Sequence, residues 1–179
     1  LPFDEDTPQR PLSPYGVAKL AGGLYLDVYG ALHGLAGTTL ALANVYGPRQ
    51  DPNGEAGVVA IFAGLLLSGR PCTVFGTGEQ IRDFVYVADV ADSLLAAAER
   101  GDGQLFNIGT GVGTSVNDLY RRMAAIVGGP DDPERGSARP GELDRSVLDA
   151  TRAAGELGWR PVTGLDDGLQ APLDWFSDR

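Results

Sequence analysis

Short apolar runs bounded by glycine, proline or asparagine alternate along this chain with longer runs of helical period, and that alternation restricts it to the α/β class. Strand-like runs fall at residues 38–43, 72–75, 82–87 and 105–108. Helical periodicity covers residues 14–33, 58–67, 89–99, 115–127 and 165–176, with a shorter helix at 151–157. Residues 1–12 and 128–141 lack any period, are rich in turn-forming types, and are expected to be loops. In the first helix Leu20, Leu24, Val28 and Leu32 form one stripe, while four glycines call for close packing partners. In the fourth long helix Val116, Leu119, Met123 and Ile126 are expected to face inward. The run at 38–43 has the character of a buried parallel strand, and it ends in a polar stretch, Asn44 to Arg49. Ligands of open α/β sheets bind beyond such strand ends.

Charge and composition exclude several functions. With 14 Lys and Arg against 24 Asp and Glu, the formal net charge is −10, which disfavours nucleic acid and anionic membranes as partners. No apolar run approaches the roughly 20 residues of a membrane span, so the chain is expected to be soluble and cytoplasmic. One cysteine excludes an internal disulfide, and Cys72, inside an apolar run, has the setting of a small buried hydrophobe. One His and one Cys supply no metal-ligand cluster, and no Ser/His/Asp set is arguable.

The chemistry is concentrated in Ser13-Pro14-Tyr15-Gly16-Val17-Ala18-Lys19. Four residues is about one helical turn, so the Tyr15 phenol and Lys19 ammonium emerge on one face. An ammonium beside a phenol favours the phenolate, the form that takes up a proton. Ser13 is placed to cap the helix, Pro14 sits where a missing N–H costs nothing, and the positive helix end favours an anion at Tyr15. Arg49, Arg82 and Arg139 stand in loops or at a strand start, where forked donors suit a diphosphate. Gly109-Thr110-Gly111-Val112-Gly113 follows a strand and precedes a helix, but Thr114 stands where the last glycine of a dinucleotide fingerprint belongs. It is expected to be a plain strand-to-helix turn, and no such fingerprint occurs elsewhere in the 179 residues.

Seven motifs then fall in one order: Ser13-Pro14-Tyr15 with Lys19, Asn44-Val45-Tyr46-Gly47-Pro48-Arg49-Gln50, Gly54-Glu55-Ala56-Gly57-Val58-Val59, Arg82-Asp83-Phe84-Val85-Tyr86-Val87, Phe106-Asn107-Ile108-Gly109-Thr110-Gly111, Arg139-Pro140-Gly141-Glu142 and Leu157-Gly158-Trp159-Arg160-Pro161. Together they resemble the carboxy-terminal half of the extended short-chain dehydrogenase/reductases, NAD-dependent epimerases and dehydratases, closest to the UDP-glucose 4-epimerases. The resemblance covers essentially the whole chain. It implies the carboxy-terminal part of a doubly wound Rossmann-type domain plus a smaller substrate-binding domain. Residues 1–50 would end the NAD-binding domain, and residues 51–179 would form mainly the nucleotide-sugar domain, with a return to the Rossmann sheet near 83–110.

Carried over by position, the resemblance makes Tyr15 the catalytic acid/base and Lys19 the residue that binds the nicotinamide ribose of NAD. Asn44 would meet the diphosphate region of a UDP-sugar, and Gly57 and Val58 would supply backbone contacts. Thr73 and Phe75 would flank the uracil, Arg82 and Arg139 would clamp the diphosphate, and Glu142 would bond the nucleoside ribose. A small residue at Ser146 implies a sugar pocket that admits an N-acetyl group. The implied reaction interconverts UDP-glucose and UDP-galactose through a 4-keto sugar, in a homodimer paired through the first helix. Two features depart from the family pattern: Ala41 and Leu42 stand where the family often carries Arg-Tyr, and neither the glycine fingerprint nor the Ser or Thr that completes the catalytic group is present. The chain is therefore expected to be a fragment, inactive alone. A 4,6-dehydratase or decarboxylase on the same scaffold, and a non-catalytic sugar-nucleotide-binding fragment, stay open as alternatives.

Overall fold

The structure, a computed structural model, describes residues 2–53, 57–139 and 141–177; Gly54, Glu55, Ala56 and Pro140 of the motifs above lie outside the described residues. The expected helix start is present. Helix α1 (Pro14–His33) is capped by Ser13, whose hydroxyl accepts from Gly16 N–H at 3.1 Å, and it ends at Gly34 in the left-handed conformation. The stripe expected to pack is a different one. Leu24, Val28 and Leu32 are exposed, and the half-buried side of α1 carries Gly16, Leu20, Gly23, Leu26 and Gly30. At Gly23 a Cβ would already touch the Thr39 side chain at 3.5 Å, so the small residues let the helix lie close to the next strand.

That strand, β1 (Thr39–Leu42), pairs in parallel with β5 (Leu105–Ile108), Thr39 opposite Leu105 and Leu42 opposite Ile108. It is half-buried rather than buried, and Leu42 is exposed. The polar stretch after it is not a loop from the start. Asn44–Tyr46 forms β2, which leaves β1 and joins a second sheet beside β4 (Ile81–Tyr86). Strand β4 is central: its first half lies between antiparallel β6 (Gly113–Ser115) and parallel β8 (Arg145–Ser146), and its second half pairs in parallel with β2. The 128–141 stretch also holds a strand, β7 (Glu134–Gly136), paired in parallel with β3 (Thr73–Phe75).

Two apolar clusters hold these layers. One is built on α2 (Val58–Leu67), apolar on all sides and therefore buried between α4 (Val116–Val127) and α5 (Leu165–Ser177). Phe62 and Tyr120 meet edge to face at 5.6 Å within it. In α4, Leu119 and Met123 are buried as expected, Val116 is half-buried and Ile126 is exposed, with Tyr120 and Ala124 taking the inner places. Cys72 lies in this cluster, and burial pushes its thiol up to about 11. The second cluster joins β4, β5 and α3 (Val87–Arg100) to the π-helical turn Ala153–Leu157 and Trp159. Among the described residues no helix is long and apolar enough to cross a membrane.

Tyr46 is 2% exposed, yet its hydroxyl has no hydrogen-bond partner among the described residues. Burial first, and the Asp89 carboxylate second, hold the phenol in its protonated form well above the usual range. The hydroxyl lies where a Cβ at position 168 would be, which explains the glycine there. Removing an unsatisfied buried hydroxyl removes a desolvation cost. Tyr46→Phe is expected to leave the thermal midpoint unchanged or raise it; a fall of more than about 4 °C, roughly 1 kcal/mol at this size, would contradict that account.

Candidate functional site

Of the residues expected to hold a nucleotide, Arg82, Glu142 and Ser146 come together at the first half of β4, and Gln80 links Glu142 to Phe75. Arg82 stands opposite Ser146 in the β4–β8 register. Its Nη2 lies 3.3 Å from Glu142 Oε1, and its Nη1 donates to the Ile81 carbonyl at 2.9 Å. Both side chains are largely covered, Arg82 15% and Glu142 29% exposed, so the pair is less screened than a surface ion pair. The Arg139 guanidinium lies 4.0 Å from the ring centroid of Phe75, a cation–π contact. Strand β3 places Thr73 and Phe75 two residues apart, both half-buried, opposite Glu134 and Gly136. Asn44 sits on β2 opposite Phe84, two residues along β4 from Arg82. Gly57 is the N-cap of α2, with Val58 the first helical residue, and a Cβ at Gly57 would press on the Gln50 amide at 2.7 Å.

Tyr15 and Lys19 form a separate pair. The spacing acts as the sequence implied: Lys19 Nζ is 5.2 Å from the Tyr15 ring centroid, on the exposed side of α1. Tyr15 is 60% exposed, and among the described residues no hydrogen bond or ion pair links either side chain to the cluster on β4. Arg49 is the one non-glycine residue, among those described, in the left-handed region, at φ 70°. None of the expected site residues lines either of two concavities, of about 320 and 410 Å³, which lie against the 109–114 and 148–165 segments.

Three polar residues that sequence reasoning did not single out organise these elements. Asp83, next to Arg82 and 1% exposed, accepts from Thr110 N–H at 2.9 Å, Thr110 Oγ at 2.6 Å, Gly111 N–H at 3.1 Å and Leu148 N–H at 3.3 Å. The amides of the glycine-rich turn therefore point at a side chain of the protein, in keeping with a structural turn. A Cβ at Gly109 would come 2.5 Å from Asp83 Oδ2, so this turn needs glycine for closeness. Asn107 donates from its side chain to the carbonyls of Phe3 and Asp149, and its backbone N–H donates to Glu5, tying the segment before α1 to the carboxy-terminal part. Gln80 joins Phe75 to Glu142. The available signal was a polar side chain inside or beside an apolar strand.

Parallel strands joined through helices, with the catalytic-type Tyr and Lys on the first helix, are the architecture of the Rossmann-type short-chain reductases. The chain belongs to the NAD dependent epimerase/dehydratase family, whose model matches residues 1–109. It is 49% identical over 179 residues to the UDP-glucose 4-epimerase of Mycolicibacterium smegmatis, a match covering 99% of this chain and 57% of that protein. The UDP-glucose 4-epimerase of Thermotoga maritima, solved with UDP-glucose, superposes with a TM-score of 0.97 at 46% identity, covering 99% of this chain and 58% of that one. The Thermus thermophilus UDP-glucose 4-epimerase complex with NAD gives a TM-score of 0.91 at 41% identity, covering 98% and 58%. The chain thus spans less than two thirds of the length of these relatives.

Proposed function

We propose that the protein is an NAD-dependent UDP-glucose 4-epimerase, to which these residues contribute the acid/base pair and the nucleotide-sugar half of the site. The observation that carries this reading is the cluster of Arg82 on β4, Phe75 on β3, and Arg139 and Glu142 in the segment between β7 and β8. It offers two guanidinium groups for a diphosphate, a carboxylate for ribose hydroxyls, and an aromatic face for a base. The small side chain of Ser146, across from Arg82, suits a sugar end that admits an N-acetyl group, and Asn44, Gly57, Val58 and Thr73 would complete the contacts.

The residues present fit the nicotinamide end of the cofactor. Tyr15 and Lys19 are adjacent, exposed on one face, and able to hold a ribose hydroxyl and exchange a proton. NAD, when bound, supplies the hydride acceptor and donor for C4 of the sugar. Tyr15 Oη takes the proton from the sugar 4-hydroxyl and returns it to the 4-keto sugar, with Lys19 beside it on the same helix face. Arg82 and Arg139 hold the diphosphate, so that the hexose can turn over without leaving. In this reading residues 1–50 belong to the NAD-binding domain, residues 51–179 mainly to the nucleotide-sugar domain, and β5 returns to the first sheet. The exposed apolar side of α1, with Leu24, Tyr25, Val28, Tyr29 and Leu32, supports a homodimer formed there, and a cytoplasmic location belongs to the same proposal.

The test is conversion of UDP-galactose to UDP-glucose by the full-length protein, followed through a coupled UDP-glucose dehydrogenase; no conversion overturns the reading. The same preparation is expected to act on UDP-N-acetylglucosamine. Ser146→Tyr should cut that activity at least about tenfold while UDP-glucose is retained, the scale of one lost fit in a pocket. Equal loss on both substrates, or on neither, would remove Ser146 from the sugar pocket.

A further inference from the structure

Gln80 immediately precedes β4, and its amide has no part in the reaction described above. Its Nε2 donates to the Phe75 carbonyl at 2.9 Å and to Glu142 Oε2 at 3.2 Å. Both partners are acceptors, so the nitrogen faces them and the orientation of the amide follows from the network. The Oε1 on its other side is buried and has no hydrogen-bond partner among the described residues. Buried acceptors in folded proteins are normally paired, and an apolar side chain of the same length would avoid this cost. The unpaired oxygen offsets part of what the two bonds of the nitrogen contribute to stability.

Glu142 has two holders, Arg82 on Oε1 and Gln80 on Oε2. Arg82 is also the group offered to a diphosphate, and a guanidinium drawn towards phosphate gives up part of its grip on a carboxylate. Gln80 is neutral and is not drawn away. Its other bond is to the backbone of Phe75, so one amide links the aromatic face to the carboxylate, which comes from a segment 62 residues further along the chain.

We propose, resting on the nucleotide-sugar reading above, that Gln80 is a positioning residue for the nucleoside half of the UDP-sugar: it keeps Glu142 at a fixed distance from the Phe75 shelf while Arg82 engages the diphosphate. The experiment uses the full-length protein with UDP as probe and UDP-glucose as substrate. Gln80→Met is expected to raise the Kd for UDP and the KM for UDP-glucose about tenfold, to leave kcat within about twofold, and to melt within about 4 °C of wild type, since the lost bonds and the removed unpaired oxygen offset one another. A residue with a structural role alone gives the opposite pattern, a lower melting point with KM unchanged, and that result overturns the proposal. In a Glu142→Ala background the Gln80→Met change should raise KM no further, since Gln80 acts through Glu142; a full further increase overturns it as well. Gln80→Asn, whose donor is drawn back by one methylene, carries the same expectation if Gln80→Met does not fold. Wild-type protein that fails to bind UDP overturns the functional reading and this proposal with it. Wild-type protein that binds UDP, beside a Gln80→Met variant that binds it equally, overturns only this proposal.

Discussion

Tyr15→Phe in the full-length protein should lower kcat for UDP-galactose by about 10²–10⁴-fold, the usual contribution of a positioned acid/base, with KM within about threefold. The substitution removes one hydroxyl from a side chain that is 60% exposed and makes no hydrogen bond among the described residues, so it leaves the packing of α1 as it is. In the proposed mechanism, what is lost is the proton carrier alone. The setting of that carrier is built locally: Ser13 caps the helix, Pro14 begins it, and Lys19 Nζ stands 5.2 Å from the ring. A phenyl ring keeps this geometry but can neither take the 4-hydroxyl proton nor return it, so the loss falls on turnover rather than binding. Initial rates for UDP-galactose over a range of concentrations separate the two parameters. A kcat within tenfold of wild type would assign the proton to another group.

That pair was legible in the sequence because everything it needs lies within seven residues. The helix start, the one-turn spacing and the cap are local properties, and the structure keeps all three. The side of α1 that packs was not legible. A helix with Leu24, Val28 and Leu32 on one stripe and Gly16, Gly23 and Gly30 on another presents two candidate faces, and periodicity does not say which one a strand will meet. The glycine-bearing side met it, and at Gly23 a Cβ would already be in contact with Thr39, leaving no room for a large side chain.

Strands β2 and β7 were hidden for a different reason. Asn44, Gly47 and Pro48 are turn-type residues, and Glu134-Arg135-Gly136 has little strand preference, so each segment reads as loop by composition. Each becomes a strand because a partner has backbone groups to pair, β4 for the first and β3 for the second. Of the nucleotide cluster, Arg82 and Glu142 were named through the family resemblance, whereas Gln80 was not, because its importance lies in two partners that the fold alone brings to it. Asn107 was visible as a polar residue in an apolar strand, but its partners, Phe3 and Asp149, lie 104 and 42 residues away in the sequence.

Asp83→Ala is expected to cost about 3–5 kcal/mol of stability, because it removes a buried carboxylate and leaves three backbone donors without their acceptor at once. The N–H groups of Thr110, Gly111 and Leu148 all end on this one carboxylate, and the Thr110 hydroxyl joins them. No water can replace a side chain that is 1% exposed without the turn opening. A small alanine leaves the space unfilled and the donors unpaired, and both add to the loss. Asp83→Asn keeps one acceptor oxygen but turns an NH₂ towards amides that also donate, so its cost should be intermediate. In urea the Asp83→Ala midpoint should fall by about 2 M, given slopes of 1–3 kcal/mol/M for small proteins. Asp92→Ala, at an exposed carboxylate on α3, serves as the control and should move stability by no more than about 0.5 kcal/mol. The consequence reaches the proposed site as well: Asp83 follows Arg82 on β4, and Leu148 lies two residues beyond Ser146, so this carboxylate ties together the two strands that carry these proposed contact residues. An unchanged urea midpoint in Asp83→Ala would show that the three amides find other acceptors and that β4 and β8 are held by their pairing alone.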